Sequence, residues 1–291
     1  MNINIDYLDR VRRLAMLTTK RKTSDLLEGN FHSLQHGRSL DFDDLREYRF
    51  GDEVSDIDWK SSSRTGKILV RRYFADRKHN VVFVCDTGRK MDGDTPAGEP
   101  KKHLAMMTFG VNAYLFDKQG VNYAMAYSDA GGVSVSGFLS GMLHLEQLLV
   151  EYQGALEGGE PKHRLNGVLE HVTGLFPRHM ITVIITDGEG LAGMDEKLIR
   201  RMIHFNDVYI FKLEDAYLTS PGAFDLQADR FEDPFLTMDP QLHGEEVKLR
   251  AAMEEEAEKL MTPYRVFFRS ISREEEIVDA LIELFRRRKG A

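Results

Sequence analysis

Two aspartates end apolar runs at positions where a parallel sheet binds its ligands. Val81 to Asp86 reads VVFVCD, and Met180 to Asp187 reads MITVIITD. Continuous apolar runs of this kind are typical of strands that are buried on both faces of a parallel sheet. Ligands of such sheets bind beyond the carboxyl ends of the strands, where the winding order switches. Two carboxylates that meet at this edge would suit a hard cation such as Mg²⁺.

A second group of acids, Asp52, Asp56 and Asp58, stands among basic residues earlier in the chain. Three carboxylates at this spacing are one way to build a metal-dependent hydrolase. Asp56 and Asp58 would share a face only in an extended chain, and the neighbouring basic side chains would compete with a metal ion. We therefore expect the protein not to be an enzyme. The alternative is a divalent-metal-dependent hydrolase that uses these three acids or the pair Asp86 and Asp187.

Strand and helix patterns alternate from residue 81 to the end of the sequence. Helical spacing of apolar residues predicts helices at 101–118, 138–152, 165–176, 197–205, 242–261 and 274–288. Short apolar runs predict strands at 81–86, 121–127, 132–136, 180–187, 208–213 and 265–268. This alternation predicts an α/β fold with a doubly wound, mostly parallel sheet that is flanked by helices.

A different region precedes the alternating part. Helical spacing predicts a helix over residues 4–20, and extended pieces around a turn at Gly51-Asp52 predict a strand-turn-strand segment. We expect residues 1–78 to hold this helix and this segment, packed on the main domain. Residues 79–291 are expected to form the α/β domain itself.

The overall composition narrows the class of partner. The chain has 39 basic and 47 acidic side chains and a formal charge of −8, which argues against nucleic acid as a partner. Its one cysteine, Cys85, excludes a disulfide within the chain and favours a reducing compartment. No run approaches the roughly 18 apolar residues of a membrane span, and the first residues do not resemble a secretory signal. We therefore expect a cytoplasmic protein without membrane insertion.

Residues 29–74 form the most distinctive stretch, in which charged residues are interleaved with aromatic ones. Its ordered motifs are Gly29 to Ser33, Asp41 to Tyr48, Gly51-Asp52, Ile57 to Lys60, Arg64 to Lys67 and Val70-Arg71. This series resembles the signature of the bacterial family called domain of unknown function 58 (DUF58), and the resemblance extends over residues 25–289. Ser55 stands where that family usually has Arg, and Ser63 stands where it commonly has Ala.

The order of elements from residue 81 to Asp187 resembles the von Willebrand factor type A domain. Proteins of that fold often bind a cation through an Asp-x-Ser-x-Ser loop, a Thr from a second loop and a later Asp. Here Gly88 and Lys90 hold the two serine positions, and the second loop, EPKHR at 160–164, has no Thr. The resemblance therefore implies a degenerate metal site at Asp86, Gly88, Lys90 and Asp187. An ammonium of Lys90 could replace the cation by an internal ion pair, so we expect no cofactor and disfavour Mg²⁺.

Six residues of the stretch 29–74, which we call the DUF58-like segment, are the expected interaction residues. Arg and carboxylate side chains form planar bidentate pairs, and aromatic rings offer flat surfaces to cations. Two interpretations stay open, a lid pinned onto the sheet domain by ion pairs and a surface that docks a partner. The six residues are Arg46, Tyr48, Asp52, Asp56, Asp58 and Trp59.

The DUF58 resemblance also implies a partner. Relatives are commonly encoded beside a MoxR-type AAA+ ATPase and other type A-domain proteins, in systems that resemble an ATP-driven chaperone for maturation or assembly of other proteins. This chain has no phosphate loop with Gly-Lys-Ser/Thr. The resemblance therefore implies a non-catalytic adaptor.

Overall fold

The structure is a computed structural model. It describes residues 5–18, 42–49, 52, 54, 57–73, 80–176, 180–219, 224–225, 230–231 and 239–290. The strands are β1 (Phe42–Glu47), β2 (Leu69–Tyr73), β3 (Val81–Cys85), β4 (Tyr123–Asp129), β5 (Gly132–Val135), β6 (Met180–Asp187), β7 (Asn206–Leu213), β8 (Phe224–Asp225), β9 (Arg230–Phe231) and β10 (Phe267–Ile271). The helices are α1 (Ile5–Thr18), α2 (Trp59–Thr65), α3 (Lys101–Lys118), α4 (Met142–Glu157), α5 (Leu165–Leu175), α6 (Gly188–Ala192), α7 (Glu196–Phe205), α8 (Pro240–Met261) and α9 (Ile277–Gly290).

One sheet of six strands organises the main domain. Its order is β10-β7-β6-β3-β4-β5, and only β5 runs antiparallel to its neighbour. From β3 the chain adds β4 and β5 toward one edge of the sheet. From β6 it adds β7 and β10 toward the other edge. The switch in winding therefore lies between β3 and β6, which pair in parallel from Val81↔Ile181 to Cys85↔Ile185. The predicted fold class is confirmed.

Buried side chains alternate between the two faces of the sheet, because successive residues of a strand point to opposite sides. Phe83 and Cys85 of β3 join the larger core cluster, together with residues of α1, α3, α4 and α9. Val82 and Val84 join the second cluster, under α5 and α7. Burial on both faces explains the uninterrupted apolar runs of the central strands.

The predicted N-terminal helix belongs to the larger core. Val11 and Ala15 of α1 are fully buried, and Val11 packs on Gly110 of α3 so closely that a Cβ at Gly110 would lie 2.8 Å from its Cγ2 atom. Arg10 adds a two-pronged ion pair with Glu274, with nitrogen–oxygen distances of 2.9–3.0 Å. Helix α1 is thus fixed to the α/β domain by both packing and charge.

The strand-turn-strand segment is confirmed as the antiparallel pair β1–β2, with an additional helix between its strands. Asp58 caps α2 by accepting a hydrogen bond from the Ser61 N–H at 2.9 Å. Gly66, at φ 71°, ends α2 in the left-handed conformation that glycine adopts readily. The sequence of α2, WKSSSRT, has no apolar spacing, so only its caps signal a helix. The docking of this segment onto the sheet domain stays a prediction.

Other boundaries shift where local geometry overrides apolar spacing. Helix α4 begins at Met142, after Gly141 at φ 101°, rather than at residue 138. Helix α8 begins at Pro240, because Asp239 caps it and proline suits the first turn. Strand β10 begins at Phe267, because Arg265 has a φ of 55°. None of the described helices is long and apolar enough to cross a membrane.

Candidate functional site

Asp86 and Asp187 meet at the switch point between β3 and β6. Both side chains are buried, and the Asp86 N–H donates to the Ile185 carbonyl at 2.9 Å, which continues the pairing of the two strands. A short 3₁₀ turn at Arg89–Met91 brings Lys90 over the two acids. Its Nζ atom contacts Asp86 Oδ2 and lies 3.2 Å from Asp187 Oδ1.

A second lysine extends this arrangement. Lys101 is the first residue of α3, and its buried Nζ atom lies 3.4 Å from Asp187 Oδ2 and contacts Asp215 Oδ1. It also donates to the main-chain carbonyl of Lys90. We call these five residues, Asp86, Lys90, Lys101, Asp187 and Asp215, the lysine–aspartate cluster. With three carboxylates and two ammonium groups, its formal charge is −1.

Neutral donors complete the hydrogen bonding of the two buried acids. Thr186 Oγ1 donates to Asp86 Oδ2 at 2.6 Å, and the Thr87 N–H donates to Asp86 Oδ1 at 3.0 Å. The Gly190 N–H, in the first turn of α6, donates to Asp187 Oδ1 at 2.9 Å. Every carboxylate oxygen of Asp86 and Asp187 therefore has a partner, which is the condition under which a buried ion pair is tolerated.

The pKa values of the paired groups follow from burial and from their neighbours. Burial raises the pKa of Asp86, although Lys90 and the Thr186 hydroxyl act to lower it. Burial also opposes the charge of Lys90, but Asp86 and Asp187 outweigh it and raise the pKa of Lys90. The raised pKa of Lys90 favours its charged form, and the raised pKa of Asp86 favours its neutral form. We give more weight to Lys90, because its ammonium contacts two carboxylates. The contact between Lys90 and Asp86 is therefore treated as an ion pair.

Two glycines let the surrounding loops approach the cluster. A Cβ atom at Gly190 would lie 1.9 Å from Thr186 Oγ1 and 2.8 Å from Lys90 Nζ. Gly88, at φ 101°, faces the second loop, and a Cβ there would lie 2.9 Å from Pro161 Cδ. The loop at 160–164 therefore lies against the loop that follows β3, the arrangement that the resemblance implied, but it brings no threonine.

The residues at this edge do not fit a divalent cation. The Lys90 ammonium contacts both strand-end carboxylates, and Lys101 contacts the remaining oxygen of Asp187. Gly88 supplies no side-chain ligand. Among the described residues, no three His, Cys, Asp or Glu side chains are grouped as a metal would require.

Calorimetric titration of the protein with Mg²⁺ or Mn²⁺ is expected to give only the heat of dilution. The reason is that a cation would have to displace two ammonium groups from the buried carboxylates. Asp86→Ala is the control, since it removes the central acid. Millimolar or tighter binding by the unaltered protein that disappears in Asp86→Ala would contradict this expectation.

Several of the predicted interaction residues make contacts within the DUF58-like segment. Arg46 makes a bidentate ion pair with Asp52, with nitrogen–oxygen distances of 2.8 and 2.5 Å, and Asp52 also accepts from the Arg49 N–H. Tyr48 is half-buried, and its N–H pairs with the Ile68 carbonyl at 2.8 Å.

Two acids of the hydrolase alternative have partners within the segment. Asp58 begins α2 as its cap, and Asp52 is held by Arg46. Asp56 lies outside the described residues. Trp59, the first residue of α2, is by contrast 64% exposed.

Two cluster members, Lys101 and Asp215, and one donor to the cluster, Thr186, were missed in the sequence. Asp215 follows the end of β7 by two residues, so the argument used for Asp86 and Asp187 would have found it with a slightly wider window. Lys101 carried one signal, a cation at the start of an otherwise strongly apolar helix. The sequence gives no sign that Thr186 donates to Asp86, because threonine is common in strands that have no functional role.

Comparison with known proteins identifies relatives of the chain. The model of the family described as "Protein of unknown function DUF58" matches residues 44–258. The uncharacterized proteins Mb1516 of Mycobacterium bovis and Rv1480 of Mycobacterium tuberculosis are each 31% identical over 103 residues. Those matches cover 35% of this chain and 32% of theirs, so the chain aligns with about a third of the length of these relatives.

A solved structure described as von Willebrand factor type A from Catenulispora acidiphila also matches, with 14% identity and a TM-score of 0.38. The match covers 73% of this chain and 43% of that one. The family match spans most of the DUF58-like segment and most of the sheet domain, and it agrees with the family that the ordered motifs predicted. The chain is a member of the DUF58 family.

Proposed function

We propose that this protein is a non-catalytic adaptor that works in the cytoplasm with a MoxR-type AAA+ ATPase in the chaperone-like maturation or assembly of other proteins. One observation carries the interaction role. Val54, Trp59 and Ile68 of the DUF58-like segment are 64%, 64% and 50% exposed. We call these three residues the Trp59 surface.

The three large apolar side chains belong to one segment and are exposed to solvent. This favours a docking role for the segment. Scattered exposed apolar residues are ordinary, but tryptophan is among the residues that most often dominate binding energy. The sequence has a single tryptophan, and it is not used in the core. Its exposure is therefore better explained by a partner than by folding.

The segment holds the Trp59 surface in a defined conformation. The Asp58 cap fixes the start of α2. The ion pair between Arg46 and Asp52 joins β1 to a residue that precedes α2. The Tyr48–Ile68 backbone hydrogen bond joins the two strands near Ile68. Order that exists before binding lowers the entropic cost of association.

The lysine–aspartate cluster supports a non-catalytic role for the sheet edge. Each of its three carboxylates contacts one of the two ammonium groups of the same chain, which does not favour a free carboxylate base. We propose that this rigid edge adds to the contact surface. The choice of an ATPase as partner rests on the family resemblance.

Trp59→Ala is expected to weaken the complex with the proposed partner, a MoxR-type ATPase, by about 30-fold, the effect of one strong interface anchor. A pull-down at micromolar concentration, followed by titration calorimetry, measures the change. Leu143→Ala is the matched control, because Leu143 is 80% exposed and lies on α4, outside the Trp59 surface. Absence of any complex, with and without ATP and Mg²⁺, would overturn the proposed function.

A further inference from the structure

A cleft of about 780 Å³ opens along one edge of the six-stranded sheet. Residues 268–272, which include most of β10, line its floor. Strand β10 is the last strand in the order of the sheet, and within the part of the chain that the structure describes no strand pairs with its outer edge. The volume falls within the range of about 300–1,000 Å³ that is usual for ligand clefts.

The outward backbone groups of β10 lie in this cleft. The Ile271 carbonyl accepts from the Glu214 N–H at 3.0 Å, on the side of β7. Backbone groups of successive strand residues point to opposite edges, so the N–H and C=O groups of Phe268 and Ser270 point outward. An open edge of this kind is a template for one further strand.

Helices α8 and α9 cover the two faces of the sheet at this edge and form the walls of the cleft. The Ser270 hydroxyl donates to Glu254 of α8. Arg269, whose side chain points to the opposite face, pairs with Glu283 of α9 at 3.1 Å. A strand added beside β10 would therefore lie between two helices, with one set of its side chains toward each of them.

The cleft carries strong negative charge. Eight of its sixteen lining residues are acidic, and its two basic residues, Arg269 and Arg287, are already paired with acids of the walls. Burial raises the pKa of Glu214 at the floor, and the carboxylates of Glu254 and Glu276 add to the rise. Added positive charge would relieve this excess of like charge.

The acids are spread along both walls and do not suit a single bound ion. Within the described ranges, no three His, Cys, Asp or Glu side chains are grouped as a metal would require. An extended chain with basic side chains on both of its faces fits better, because each face would meet carboxylates of one wall. The wall acids are Glu254, Glu255 and Glu258 on α8, and Glu275, Asp279 and Glu283 on α9 and the turn before it.

We propose that this cleft binds an extended segment of a partner protein that is rich in lysine or arginine, and that the segment joins the sheet as a strand beside β10. Charges beside an open edge repel strands of the same sign and select those of opposite sign. The cleft includes no residue of the Trp59 surface, so the proposal does not rest on the proposed function.

Fluorescence anisotropy with the labelled octapeptide Lys-Lys-Val-Val-Lys-Lys-Val-Val tests the proposal, since this peptide carries lysine on both faces of a strand. We expect micromolar binding that weakens as the salt concentration rises. Glu275→Lys/Asp279→Lys should weaken it by about 10-fold or more. Glu157→Lys/Glu170→Lys is the matched control, because it makes the same change of charge at exposed residues of α4 and α5 outside the cleft, and it should weaken binding much less. Circular dichroism checks that both variants are folded.

A second peptide separates strand pairing from attraction of charge in the unaltered protein. Methylation of every backbone nitrogen of the octapeptide keeps its lysines but removes the donors that a strand needs. This peptide should not bind at concentrations at which the first one saturates. Equal binding of the two peptides, or no binding of the first at millimolar concentration, would overturn the proposal. An equal loss of affinity in the two double variants would overturn it as well.

Discussion

Replacement of Lys90 by methionine is expected to lower the free energy of unfolding by about 3–5 kcal/mol, the usual cost of leaving a buried charge without its partner. The change removes the one ammonium that contacts both Asp86 and Asp187. Lys101 stays beside Asp187. Most of the destabilisation is therefore expected from Asp86, which loses its ammonium partner. Urea denaturation followed by circular dichroism measures the difference.

Lys67→Met is the matched control for this variant. Lys67 also forms an ion pair, with Glu47, but both side chains are exposed, and exposed pairs contribute little to stability. A cost for Lys90→Met no larger than that for Lys67→Met would contradict the account of the cluster.

The alkaline pH dependence of the same variant has a definite sign. The pKa of Lys90 is raised above the ordinary lysine value of 10.5 by its carboxylates. The stabilisation by Lys90 is therefore fully present below that ordinary value and is lost as the pH rises through the raised value. The difference in unfolding free energy between the unaltered protein and Lys90→Met should accordingly shrink only at strongly alkaline pH.

Gly190→Ala is expected to destabilise the protein by about 3 kcal/mol or more, at the upper end of overpacking costs. The added methyl group would overlap Thr186 Oγ1 and press on Asp86 Oδ2 and Lys90 Nζ, at 1.9, 2.7 and 2.8 Å. Relief requires either a shift of α6 or separation of the ion pair. Thermal and urea unfolding both report the loss.

Gly154→Ala supplies the control for this substitution. Gly154 lies within α4, and a Cβ there would meet nothing within 4 Å. Alanine at such a helical position should stabilise by about 0.5–1 kcal/mol. Effects of the same sign and size at both glycines would show that the space around the cluster does not require Gly190.

Apolar patterning predicted the central elements of the core closely, but it missed a helix that has no apolar spacing. The strands at 81–86 and 180–187 and the helix at 101–118 agree with β3, β6 and α3 to within a residue, because burial on both faces of the sheet demands nearly continuous apolar residues. The missed helix α2 depends on the Asp58 cap and on Gly66. Caps act through single hydrogen bonds and leave no periodicity to read.

The candidate site was predictable where one rule governed it. Strand-end acids in a parallel sheet converge, and that rule grouped Asp86 and Asp187. Lys90 was added by the resemblance to the von Willebrand factor type A loop. The second half of the cluster depends on the approach of Lys101 to Asp215, residues 114 positions apart in the chain. Only the packed position of α3 across the sheet brings them together.

A double-mutant cycle between Lys90 and Asp86 tests most directly the claim that a lysine occupies the place of a cation at this sheet edge. The cycle compares the unfolding free energies of the unaltered protein, Lys90→Met, Asp86→Asn and the double variant. We predict a coupling energy of about 2–3 kcal/mol, because the two groups are buried and in contact. Additive effects, with a coupling near zero, would contradict the claim.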